Sequence, residues 1–123
     1  SAVAPYGLAA MQTLQALGLV SLLREKFVRG QSLGQTYQFV ATGNAPVGFV
    51  AVSQLRHQVQ KPGGAWWVVP DNLHAPLKQD GVALAGYLNS TASTEILKFL
   101  RSHRSREIIR SFGYDVAPRA VLR

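Results

Sequence analysis

The chain contains no cysteine. Disulfides and thiolate metal sites are therefore excluded, and cysteine usage says nothing about the redox compartment. Acidic side chains are scarce, with six Asp and Glu in 123 residues. Asp71 and Asp80 alone lie between Glu25 and Glu95, and their spacing gives no reason to pair them as acid and base. The histidines (His57, His74 and His103) stand apart, without metal-ligand spacing. No nucleophile elbow, Walker loop or dinucleotide fingerprint occurs, and Gly63-Gly64 alone reads as a turn. These absences assign no catalytic residue, no metal ligand and no cofactor. The chain does not read as an enzyme.

A long uninterrupted apolar run is also missing. Residues 1–23 carry no charge, but Pro5, Gly7, Gln12, Thr13, Gln15 and Gly18 break them up, and no basic region precedes them. Neither a membrane span nor a signal peptide fits, so membrane insertion is not expected and any export signal is expected upstream.

What is present suits a globular fold. The hydrophobic share is 47%, enough to fill a core, beside a low charged share of 15%. The length implies one domain or an incomplete piece of a larger one. Formal net charge is +7, and Lys98, Arg101, Arg104, Arg106, Arg110, Arg119 and Arg123 crowd the last part of the chain. A solvated helix face with a basic tail and a nucleic-acid footprint both fit that pattern. The former is adopted, so no nucleic-acid partner is expected. Either way, the field attracts anions.

Periodicity gives alternating short helices and strands. The opening helix enters through Pro5, a residue suited to the first helical position, and Gly18 is a natural terminator. Leu8, Met11, Leu14 and Leu17 form its apolar stripe. A short helix over 21–26 and a brief strand over 27–29 follow. Ser32-Leu33-Gly34-Gln35 is a capping box, in which the Ser32 hydroxyl takes the Gln35 N–H and the Gln35 side chain returns to the Ser32 N–H. Its helix runs to about Thr42, with Leu33, Tyr37, Val40 and Ala41 on one face, and Gly43-Asn44 closes it. Residues 47–51 and 66–69 read as buried strands, 53–59 as a turn of helix, 71–76 as irregular, and 77–85 as a returning strand. Trp66 and Trp67 must point to opposite faces of a strand, so they form no single stacking platform and are expected in the core. Caps at 89–91 and near Ser102 open helices over 92–101 and 103–112. Ile96, Leu97 and Leu100 pack the first, and Ile108, Ile109 and Phe112 the second. Gly113 ends the second. The alternation indicates an α/β sheet.

Three stretches carry a family likeness: VAPYGLAAMQTLQALGL (3–19), VRGQSLGQTYQFVATGNAPVGFVAVSQ (28–54) and VVPDNLHAPLKQDGVAL (68–84). Together they resemble the molybdate-binding component of molybdate ABC importers, and ILKFLRSHRSREIIRSFGY (96–114) is similar to its last two helices. The resemblance implies a three-layer α/β lobe of the type II periplasmic-binding fold, here incomplete. It comprises part of the second lobe over 1–88 and C-terminal helices and tail over 89–123 that return to the first lobe. It further implies a periplasmic solute receptor for molybdate or tungstate, with an ABC permease as partner. Effector domains of some bacterial transcription regulators share this fold and are the alternative, although no helix-turn-helix is evident.

Members of the family hold the dianion with backbone N–H groups and hydroxyls. The resemblance puts Tyr6 at one ligand contact, by backbone N–H or by phenol, and the Leu33 N–H at another. Gly7, Ser32 and Ala51 are supporting positions. Some members carry a tyrosine at the position of Ala51 and a small residue at that of Tyr6, which implies an exchange of the phenol between the two. The incomplete lobe also implies exposed sheet edges and self-association of the chain.

Overall fold

The computed structural model describes residues 4–56, 64–87 and 90–116. The chain divides into two compact units, Ser1–Lys78 and Gln79–Arg123. The divide expected between residues 88 and 89 lies outside the described residues.

In the first unit, helix α1 spans Pro5–Ala16, built from strong helix formers behind a proline whose φ is already helical. It ends in a Schellman motif. Gly18 adopts φ 69, its N–H reaches Gln15 O at 3.0 Å, and the Leu19 N–H reaches Leu14 O at 2.9 Å. The buried face differs from the expected stripe. Leu14 is buried, but its companions are Ala9 and Thr13, while Leu8 and Leu17 remain nearly half exposed. Thr13 can be buried (1% exposed) because its hydroxyl donates to Ala9 O at 2.9 Å, leaving no polar atom unsatisfied.

Helix α2, Val20–Leu23, runs into a 3-10 turn at Arg24–Lys26. Helix α3, Leu33–Ala41, is centred on buried Tyr37, and helix α4, Val52–Arg56, answers the helical turn expected over 53–59, of which 57–59 lie outside the described residues. Gly48 lets the segment 48–51 approach α3 closely, since a Cβ there would meet Val40 Cγ2 at 2.5 Å. A 3-10 turn at Asp71–Leu73 packs against α1. Among the described residues no single helix is long and apolar enough to cross a membrane. Helices α1 and α2 with its turn reach that length only as a pair bent by 117°.

The second unit contains a 3-10 turn at Ala85–Tyr87, helix α5 at Thr91–Leu100 and helix α6 at His103–Ser111. Ser90 and Ser102 cap the two helices, accepting from the N–H of Ser93 at 3.1 Å and of Ser105 at 3.2 Å. Gly113 closes α6 in the same way as Gly18 closes α1, at φ 89. The expected apolar faces exist, but Ile96, Leu100, Ile108 and Phe112 on them stay largely exposed.

The strands expected at 27–29, 47–51, 66–69 and 77–85 form no ladder among the described residues. Trp66 and Trp67 are 67% and 61% exposed, which corrects their placement in the core. The cause is geometric. A strand exists as structure only beside a hydrogen-bonded neighbour, and a parallel strand is buried only where both sheet faces are covered.

Candidate functional site

Two helix starts were singled out by sequence, and both exist. At α1, Ala4 offers no side-chain cap, Pro5 has no N–H, and Tyr6 follows as the second helical residue. Tyr6 is half-buried and Gly7 exposed. The Leu8 N–H closes the first intrahelical bond onto Ala4 O at 3.1 Å, and the Gly7 N–H makes no hydrogen bond among the described residues.

At α3 the capping is tighter and differs in one detail. Ser32 Oγ accepts the Gln35 N–H at 3.1 Å, as expected. The Gln35 side chain goes instead to the N–H of Gln31, at 2.6 Å, one residue before the predicted Ser32. This four-residue reach closes a wider ring than the bond to Ser32 would. As a result the N–H groups of Ser32, Leu33 and Gly34 carry no hydrogen bond among the described residues. Such orphan donors at a helix start, with the positive end of the macrodipole behind them, suit an anion. Neither the first turn of α1 nor that of α3 holds an acidic residue, and the sequence from Lys26 to Pro70 contains none.

Gln54 is the polar residue that sequence reasoning missed. Its Nε2 donates to Leu33 O at 3.0 Å, and its Oε1 accepts the Ala51 N–H at 3.0 Å. The side chain thereby ties the first residue of α3 to the end of segment 48–51. It also occupies the amide of Ala51, a residue only 7% exposed, so Ala51 presents no free donor. Nothing in the sequence advertises a partner for Gln54 that lies 21 residues away.

Two concavities lie in the first unit. One of about 250 Å³ is lined by Pro5, Leu8, Ala9 and Gln12 of α1 and by Ala75, Pro76, Leu77 and Lys78. The other, about 630 Å³, is lined by Met11, Val20, Arg24, Phe27 and Arg29. Neither is lined by Tyr6 or Leu33. Leu33 and Ala51 are brought together through Gln54. Among the described residues no group of three or more His, Asp or Glu could hold a metal ion.

Comparison with known proteins supplies the context. Residues 1–115 match the family model described as bacterial extracellular solute-binding protein. The chain is 48% identical over 111 residues to the molybdate-binding protein ModA of Rhodobacter capsulatus, covering 90% of this chain and 43% of that protein. It is 42% identical over 113 residues to the molybdate-binding protein ModA of Azotobacter vinelandii, covering 92% of this chain and 45% of that one. Its structure is similar to that of the Azotobacter vinelandii periplasmic molybdate-binding protein, with a TM-score of 0.80 and 31% identity over 94% of this chain and 51% of that chain. The chain thus spans about half the length of the relatives it matches, and its fold is part of the type II periplasmic-binding fold. On the family match across nearly its whole length, this chain belongs to the bacterial extracellular solute-binding proteins.

Proposed function

We propose that the chain forms part of a periplasmic receptor for a tetrahedral oxyanion, molybdate and by size also tungstate, that delivers its ligand to an ABC permease. The observation that carries the proposal is the start of α3, where Ser32 and Gln35 cap the helix and the Leu33 and Gly34 amides carry no hydrogen bond among the described residues. The names of the relatives add the identity of the anion. Leu33 contributes its backbone N–H, and its aliphatic side chain plays no polar part. Ser32 contributes through the cap that shapes this turn. Tyr6, with Gly7 beside it, is the contact from α1, by amide or by phenol. Ala51 is the small residue that completes the exchange with Tyr6.

Fixed N–H donors suit this task better than a lysine or arginine. They bind the dianion without desolvating a counter-charged side chain, and they cannot close on smaller sulfate without strain. No bond is made or broken. Closure of two lobes around the ligand is the output signalled to the permease.

The test is calorimetric titration of the protein at its full natural length with sodium molybdate and, separately, with sodium sulfate. One molybdate per protein, with sulfate at least a hundredfold weaker by the roughly 3 kcal/mol such discrimination needs, is expected. Absence of molybdate binding would overturn the proposal.

A further inference from the structure

We infer that Gln54 is a positioning residue for the anion-binding amides of α3, an inference that rests on the oxyanion-receptor reading above. The argument is one of peptide geometry. The Leu33 carbonyl and the Gly34 N–H belong to one planar trans peptide unit and point in opposite directions. Gln54 Nε2 holds that carbonyl at 3.0 Å, which fixes the direction in which the Gly34 N–H points. A hydrogen bond accepted at the carbonyl also polarises the unit and strengthens its N–H as a donor.

The other end of the same amide accepts the Ala51 N–H at 3.0 Å, and the Gln54 backbone N–H returns to Ala51 O at 2.9 Å. The orientation of the α3 start is therefore referenced to segment 48–51 rather than left to the helix alone. A glutamine is suited to this because its primary amide presents a donor and an acceptor side by side. Helix capping by Ser32 sets which amides are free, and Gln54 sets where they aim.

Two variants of the full-length protein test this. Gln54→Met keeps the length and volume of the side chain and removes both hydrogen bonds. Gln54→Glu keeps the acceptor for Ala51 and removes the donor to Leu33. Both are expected to weaken molybdate binding about tenfold and to narrow the ratio of molybdate to sulfate affinity, because misaimed donors lose their fit to the larger anion first. Melting temperature without ligand is recorded beside each titration. A purely structural role would lower the melting temperature and leave that ratio unchanged, and this result overturns the inference. So does an unaltered molybdate affinity in the variant that folds, when the parent protein binds. Failure of the parent itself to bind molybdate overturns the receptor reading and this inference together.

Discussion

The N–H of Ala75 donates to Gln12 Oε1 at 2.9 Å across 63 residues of sequence, fastening the segment after the Asp71–Leu73 turn onto the middle of α1. This bond and the contact of that turn with α1 hold one edge of the first unit in place. Because Gln12 projects from the same helix that opens at Tyr6, the bond also limits how α1 can shift along its axis.

Replacing Gln12 with leucine therefore removes a tertiary anchor while keeping helix propensity. The bond is solvent-accessible, so the cost falls in the lower part of the usual range, about 0.5–1 kcal/mol. Urea denaturation of the parent and variant reads it as a shift in midpoint at constant slope. An unchanged midpoint would show that the anchor contributes nothing in solution.

Two glycines should respond in opposite directions to the same substitution. A Cβ at Gly30 would lie 2.8 Å from the Thr36 backbone nitrogen and 3.1 Å from Ser32 O, the pair that forms the first hydrogen bond of α3. Backbone cannot give way as a flexible side chain can, so Gly30→Ala is expected to cost about 1–3 kcal/mol. At Gly7 nothing lies within 4 Å and the residue is helical, so Gly7→Ala should add about 0.4–1 kcal/mol. Thermal melts of the two variants decide the matter. A gain in stability at Gly30 would contradict the close approach.

How much of this was legible in advance varies with the range of the interaction. Helices α1, α3, α5 and α6 were foreseen, because capping serines, Pro5 and the closing glycines act within one turn of chain, whereas the 3-10 turns at Asp71–Leu73 and Ala85–Tyr87 fall where an irregular stretch and the end of a strand were expected. Gln35 shows the limit of that reasoning. The box was recognised, yet its side chain took the amide of Gln31 rather than that of Ser32, a choice between neighbours that residue type alone does not decide. The buried face of α1 was misjudged for a related reason. Size favoured Leu8 and Leu17, whereas the close contact is made by small Ala9 and by Thr13, whose hydroxyl is satisfied inside its own helix. Gln54 was invisible because its partners are brought to it only by the fold. Strands were read from β-favouring composition, and composition does not supply the neighbour that a ladder needs.

Tyr6 offers the most direct probe of the α1 contribution. If the phenol reaches the anion from α1, Tyr6→Phe removes one charge-assisted hydrogen bond to it. Molybdate binding by the full-length protein should weaken by about 1.5–3 kcal/mol. Calorimetry showing the same dissociation constant would leave only the backbone amide as the contact from this residue.

The 123-residue chain by itself should associate. In the first unit Val47, Trp66 and Trp67 are 83%, 67% and 61% exposed, and in the second Val82 and Leu84 are 84% and 69% exposed. These residues sit in the segments read as strands, whose backbone N–H and C=O groups form no ladder among the described residues. Apolar side chains and strand-like backbone outside any ladder in the same stretch make an adhesive edge, and pairing with a second copy satisfies both at once. The net charge of +7 opposes this by repulsion, so the balance depends on salt. Sedimentation velocity across a concentration series is expected to show a rising weight-average mass, more strongly at 0.5 M than at 0.05 M sodium chloride, roughly the span over which the Debye length shrinks several-fold. A single monomer boundary at every concentration and salt would show that these edges are covered within the chain itself.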